Sequence, residues 1–160
     1  MIFTTKAEYG VRLLVELGRQ SVEPGGPAPV SLKAIAEAEG LPLAYLERIV
    51  ALLKKAGFVE ATRGAHGGYH LARAPQDVRM DEVVLALEGA VAPMTCFVND
   101  ADGSGVLCSH EADSGQGCAT KLLWTRVQGG VVDALARTTL AELVAFSNRT
   151  DRPPRQSVAA

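Results

Sequence analysis

The sequence predicts a mainly α-helical chain with a small β wing: a winged helix-turn-helix followed by a long dimerisation helix. Three observations carry that expectation. Residues 31–71 read as two short helices joined by a tight turn and followed by a two-stranded ribbon. The tip of that ribbon, Arg63-Gly64-Ala65-His66-Gly67-Gly68, holds three glycines in six residues, so its backbone can turn tightly and lie close to another surface. Residues 119–137 carry Leu123, Val127, Val131, Ala134 and Leu135 at helical spacing, a stripe long enough to hold two chains together.

Taken in order, Thr5-Lys6-Ala7-Glu8 has the form of a capping box, with threonine at the N-cap and glutamate three residues later. Ala7, Val11, Leu14 and Leu17 then give a buried face to a first helix ending near Gln20. Residues 21–30 contain three prolines and two glycines and read as a loop. Ser31 is a good N-cap for the next helix, whose Leu32, Ile35 and Ala36 share a face, and Gly40 can take the left-handed C-cap conformation. Pro42 suits a first helical turn. Leu43, Leu46, Ile49, Val50 and Leu53 form the buried stripe of the second helix, which stops at Gly57. Phe58 to Thr62 and Tyr69 to Ala72 are the ribbon strands. After a connector at residues 74–76, Met80 to Glu88 forms a short helix that buries Val83, Val84 and Leu87 and ends at Gly89. Apart from Val91, Met94, Phe97, Val98, Val106 and Leu107, residues 90–118 are mostly small, acidic or glycine, and they hold all three cysteines. Thr139-Leu140-Ala141-Glu142 is a second capping box, opening a last helix to about Phe146. The expected organisation is a DNA-binding head over residues 1–75, a linking helix with the cysteine loop over 76–118, dimerisation and terminal helices over 119–147, and a flexible tail over 148–160.

The 160-residue chain carries a net charge of −2, which hides an asymmetry: residues 40–75 hold five basic side chains and two acidic ones. That bias agrees with a nucleic-acid surface without establishing one. No apolar run reaches membrane-spanning length, and the N-terminus lacks the apolar block of a signal peptide, so the expected location is cytoplasmic. An enzyme is disfavoured, because no convergent acid/base set or partnered nucleophile is visible.

In a helix-turn-helix the second helix enters the DNA major groove, and a wing touches phosphates or the minor groove. Candidate DNA-binding residues are therefore Lys33, Tyr45, Glu47 and Arg48 on the helices, and Arg63, Gly64, His66, Gly67 and Gly68 in the wing. Glutamate can accept from cytosine and arginine can reach guanine. The alternatives are structural: Tyr45 in the core, Glu47 paired with Arg48 or Lys33, or a wing used for protein contacts. Two heads reading a palindromic operator on double-stranded DNA need a two-fold dimer, which gives the long helix its use; the alternative is a helix that packs only on its own domain.

Cys96, Cys108 and Cys118 are spaced C-x11-C-x9-C. An odd number of thiols fits poorly with a disulfide framework; gathered thiolates suit a metal or a cluster. A zinc-type Cys-x-x-Cys is absent, and three ordinary thiols are the bland reading.

The Thr4–Tyr9 opening, Tyr45-Leu46-Glu47, the wing Arg63-Gly64-x-x-Gly-Gly-Tyr69, Leu87-Glu88-Gly89, the three cysteines and Leu123-Trp124 together resemble the IscR/NsrR family of bacterial winged-helix iron–sulfur regulators. The resemblance runs to about residue 147. It implies a homodimer, most simply a repressor, whose DNA affinity is set by an iron–sulfur cluster (2Fe–2S or 4Fe–4S) held by Cys96, Cys108 and Cys118. The cysteine spacing is wider than the family's commoner one, and Lys121 stands where some members place a histidine ligand. Other members use a carboxylate near the start of helix one, contributed by the other subunit, and Glu8 stands there; His110 is a second candidate. The rival from another class is a regulator switched by a thiol disulfide or by zinc.

Overall fold

The computed structural model describes residues 3–21, 28–64, 66–89, 91 and 119–149. Six α-helices lie among them: α1 (Thr5–Ser21), α2 (Leu32–Glu39), α3 (Leu43–Lys55), α4 (Met80–Glu88), α5 (Ala119–Arg137) and α6 (Leu140–Arg149). A two-stranded antiparallel sheet, β1 (Val59–Thr62) and β2 (Gly68–Leu71), and a 3-10 turn (Pro75–Asp77) separate α3 from α4. The expected mainly helical, winged architecture is what the chain forms.

The caps explain the helix boundaries. Ser31 accepts a hydrogen bond from the Ala34 amide and starts α2, and Gly40, at φ 63°, ends it in the left-handed conformation. Pro42 sits at the N-cap of α3, where its carbonyl accepts from the amides of Tyr45 and Leu46. Thr139 and Glu142 cap α6 reciprocally, each side chain accepting from the other's amide.

The first capping box takes a different form. Thr5 is already helical, and Thr4 is the capping residue: its Oγ1 accepts from the Lys6 amide at 3.2 Å. The acid that completes the cap comes from α4. Glu88 Oε1 accepts from Thr4 N at 3.2 Å, Thr4 Oγ1 at 2.5 Å and Ala7 N at 3.1 Å. Glu8 instead points along its own helix, 3.7 Å from Arg12 one turn on.

One apolar core joins the head to the C-terminal helix. Leu13, Leu14 and Leu17 of α1 pack with Leu46, Ile49 and Leu53 of α3, Val83 and Leu87 of α4, and Leu140 and Val144 of α6. Backbone bonds from Met80 N to Thr138 O and from Leu140 N to Val78 O hold α6 beside the start of α4. Helix α1 lies so close to α4 that a Cβ on Gly10 would fall 2.4 Å from Leu87 Cδ1 and 3.4 Å from Ile49 Cγ2. Leu43, expected in the buried stripe of α3, is 39% exposed, whereas Leu46 of the same turn is fully buried. Helix α6 also runs three residues past Phe146, to Arg149.

Helix α5 has the expected bounds but no fully buried residue. Leu135 packs on the core, whereas Leu122 and Leu123 stay 59% and 56% exposed.

Candidate nucleic-acid interface

The head is built on α1. Arg12 ties α1 to the end of α2: its Nε donates to Glu39 Oε2 at 2.8 Å and its Nη2 to the Glu39 carbonyl at 2.7 Å. Glu39 is buried, so this bond satisfies a charge that would otherwise be costly to hold away from water. Tyr45 meets Tyr9 edge to face, with ring centroids 5.7 Å apart, and fixes the first turn of α3 on α1.

That packing leaves one face of α3 open. Leu43, Ala44, Glu47, Arg48, Ala51 and Leu52 are exposed, while Tyr45 is half-buried. Among the described residues Glu47 and Arg48 have no ion-pair partner. Lys33, which might have paired with Glu47, lies 3.9 Å from Glu37 on its own helix. The open face thus presents a carboxylate and a guanidinium side by side at the N-terminal half of the helix, the part that reaches base edges in a helix-turn-helix.

The wing follows the helix. Val59 pairs with Leu71, Glu60 with His70, Ala61 with Tyr69 and Thr62 with Gly68. Arg63, Gly64 and His66 are exposed at its tip, and Ala65 lies outside the described residues. Gly67 and Gly68 have reasons internal to the fold. A Cβ on Gly67 would fall 2.3 Å from the Thr62 carbonyl oxygen, and one on Gly68 would fall 2.5 Å from the Val30 carbonyl oxygen. Val30 acts as a one-residue third strand, exchanging backbone bonds with Tyr69 at 2.9 and 2.8 Å. Arg73, stacked 4.8 Å from the Phe58 ring and 3.1 Å from Glu82, fastens the base of the wing to α4.

Near the start of α1, an open cavity of about 480 Å³ is walled by Phe3, Ala7, Val11, Val84 and Leu135, with Glu8 and Arg12 as its charged lining. The Glu8 side chain is 64% exposed. Cys96, Cys108, Cys118 and His110 lie outside the described residues, as does most of the expected tail.

Sequence reasoning missed Glu88, Arg12 and Val30. Each acts on a partner far along the chain, so no local pattern marks it; the Leu87-Glu88-Gly89 run was the single available hint.

Residues 3–146 match the family Rrf2, described as iron-dependent transcriptional regulators. The chain belongs to the Rrf2 family. Among curated relatives, Protein rrf2 of Nitratidesulfovibrio vulgaris (strain Hildenborough) is 35% identical over 144 residues, covering 90% of this chain and 87% of the relative. The solved structure of IscR from T. potens superposes with a TM-score of 0.72 at 31% identity, covering 96% of this chain and 93% of its own. CymR, the global cysteine regulator of B. subtilis, gives a TM-score of 0.71 at 32% identity, covering 90% and 96%. As an Rrf2 member the chain is a DNA-binding transcriptional regulator of the winged-helix type and not an enzyme. No described helix is long and apolar enough to cross a membrane.

Proposed function

We propose that two copies of this chain bind a palindromic operator as a repressor, and that an iron–sulfur cluster on Cys96, Cys108 and Cys118 sets their affinity for it. The observation that carries this reading is the position of the cysteines. All three fall between Val91, which follows the linking helix α4, and Ala119, which opens the exposed long helix. The family's description as iron-dependent, and the likeness to a protein named IscR, support iron over zinc.

The donor set fits such a group. Three thiolates are soft ligands suited to iron–sulfur clusters, and they leave one position short of the usual four. Glu8 is the proposed fourth ligand, from the partner subunit. It takes no part in capping α1, it is exposed, and it borders an apolar cavity. A bound cluster would supply a centre that reacts with oxidants or nitric oxide. The protein's own part is to hold Glu47 and Arg48 toward base edges and Arg63 and His66 toward the DNA backbone, while Arg12 and Tyr45 keep α2 and α3 seated on α1. The exposed Leu122 and Leu123 of α5 suit burial against a second copy.

Anaerobic purification followed by visible spectroscopy and iron, sulfide and zinc analysis tests the assignment. A coloured protein with matched iron and sulfide is expected. A colourless protein with stoichiometric zinc, or with the thiols oxidised to a disulfide, would establish the thiol or zinc switch instead.

A further inference from the structure

We propose that Glu88 is a positioning residue that couples the cysteine segment to the reading head. This rests on the cluster-controlled reading above and adds a route for it through this chain's own residues.

The placement of Glu88 is unusual for its own helix. It is the last residue of α4, whose final turn contains no basic side chain. A carboxylate there faces the negative end of the helix macrodipole, where lysine or arginine would be favoured. The same carboxylate lies at the positive end of α1, where Glu88 Oε1 collects Thr4 N, Thr4 Oγ1 and Ala7 N within 3.2 Å. Its favourable contacts are therefore between helices, not within one.

The neighbours of Glu88 make that contact directional. Leu87 fills the space left by Gly10 of α1, and the same space borders Ile49 of α3. Gly89, at φ 86° and ψ −104°, breaks the helix with its amide donating to the Leu85 carbonyl, and the chain then enters the cysteine segment. Val91 is held in turn, since its carbonyl accepts from Gln128 Nε2 of α5 at 2.7 Å. Leu87, Glu88 and Val91 thus touch α1, α3 and α5 at the point where the cysteine segment begins. A displacement of that segment pulls directly on the acceptor that caps α1, and α1 carries the reading helix.

The chemistry supplies a selective test, because all three donors converge on one oxygen. Glutamine offers the same acceptor without the charge. Operator affinity is measured for cluster-loaded and cluster-free protein, under anaerobic conditions, for wild type, Glu88→Gln and Glu88→Ala, with cluster absorbance and thermal melting followed in parallel. Wild type is expected to show a loaded-to-free affinity ratio in the usual coupling range of about 5–150-fold. Glu88→Gln keeps most of that ratio, whereas in Glu88→Ala it collapses toward one with the cluster still bound. Thr4→Val, which removes the hydroxyl donor together with the acceptor for the Lys6 amide and leaves the two amide bonds to Glu88, lowers the ratio part-way and keeps the result decisive if Glu88→Ala fails to fold. A wild-type ratio retained in Glu88→Ala, or in Thr4→Val when only that variant folds, would overturn the proposal and leave Glu88 a plain helix cap. Equal loss in Glu88→Gln and Glu88→Ala would still place the coupling at Glu88 and assign it to the carboxylate's charge at the α1 terminus. A wild-type ratio of one would bring down the cluster reading itself, and this proposal with it.

Discussion

Gly10→Ala is expected to destabilise the protein, and to stabilise it once Leu87 has been cut back. The new Cβ would stand 2.4 Å from Leu87 Cδ1 and 3.3 Å from Leu87 Cδ2. Leu87 is 2% exposed and part of the core, so its methyl groups must shift against buried neighbours. Overpacking of this kind costs about 1–3 kcal/mol. Replacing glycine by alanine inside a helix returns about 1 kcal/mol through backbone entropy. The net expectation for Gly10→Ala is therefore a loss of roughly 0–2 kcal/mol. Leu87→Ala alone leaves a cavity and should cost about 2–5 kcal/mol. In that background the Gly10→Ala methyl group meets no clash and fills part of the hole, so the double variant should exceed Leu87→Ala by about 1 kcal/mol. Urea unfolding of the four proteins at one protomer concentration, held fixed because assembly shifts apparent stability, measures the cycle. The same sign for Gly10→Ala in both backgrounds would refute the close α1–α4 packing on which the head rests.

Three further outcomes concern the DNA surface. Arg63→Ala should weaken binding to all sequences alike and lower the salt slope by about 1, read from operator titrations over a salt series. Glu47→Ala should relax preference at particular operator positions by roughly 1–3 kcal/mol, which a selection from randomised sites would reveal as a changed motif. Gly68→Ala drives a Cβ into the Val30 backbone and breaks the pair of bonds between Val30 and Tyr69. At about 0.5–1.5 kcal/mol for each bond, a loss of roughly 1–3 kcal/mol is expected, together with weaker operator binding; unchanged unfolding would exclude the Val30 strand.

Features written into a few consecutive residues were legible in the sequence. Ser31 and Gly40 bracket α2, and Thr139 and Glu142 cap α6, because caps are local chemistry. The apolar stripe of α3 was legible for Leu46, Ile49, Val50 and Leu53 but not for Leu43, since periodicity gives a face without saying where the neighbouring elements end. Thr5 and Glu8 matched a capping pattern that Thr4 and Glu88 fulfil instead, because a carboxylate more than eighty positions away competes for the same amides. Gly67 and Gly68 stood out as wing glycines, yet their spatial reason lies in Thr62 and Val30, a tertiary fact with no sequence period. For the candidate site, sequence pattern picked out Glu47, Arg48 and Arg63, all exposed in the folded chain. The pairing that seats their helices, Arg12 with Glu39, had no local signature.

The claim that the cysteines hold the sensing group is tested most directly by one operator titration. Cluster-loaded wild type and a variant with Cys96, Cys108 and Cys118 all replaced by alanine are titrated anaerobically, before and after treatment that destroys iron–sulfur clusters. Wild type should change its affinity on treatment by at least about 5-fold, the lower end of ordinary allosteric coupling. The triple variant should remain folded, bind with the affinity of treated wild type and not respond. An equal response from the variant would place the sensor outside the three cysteines and contradict the proposed function.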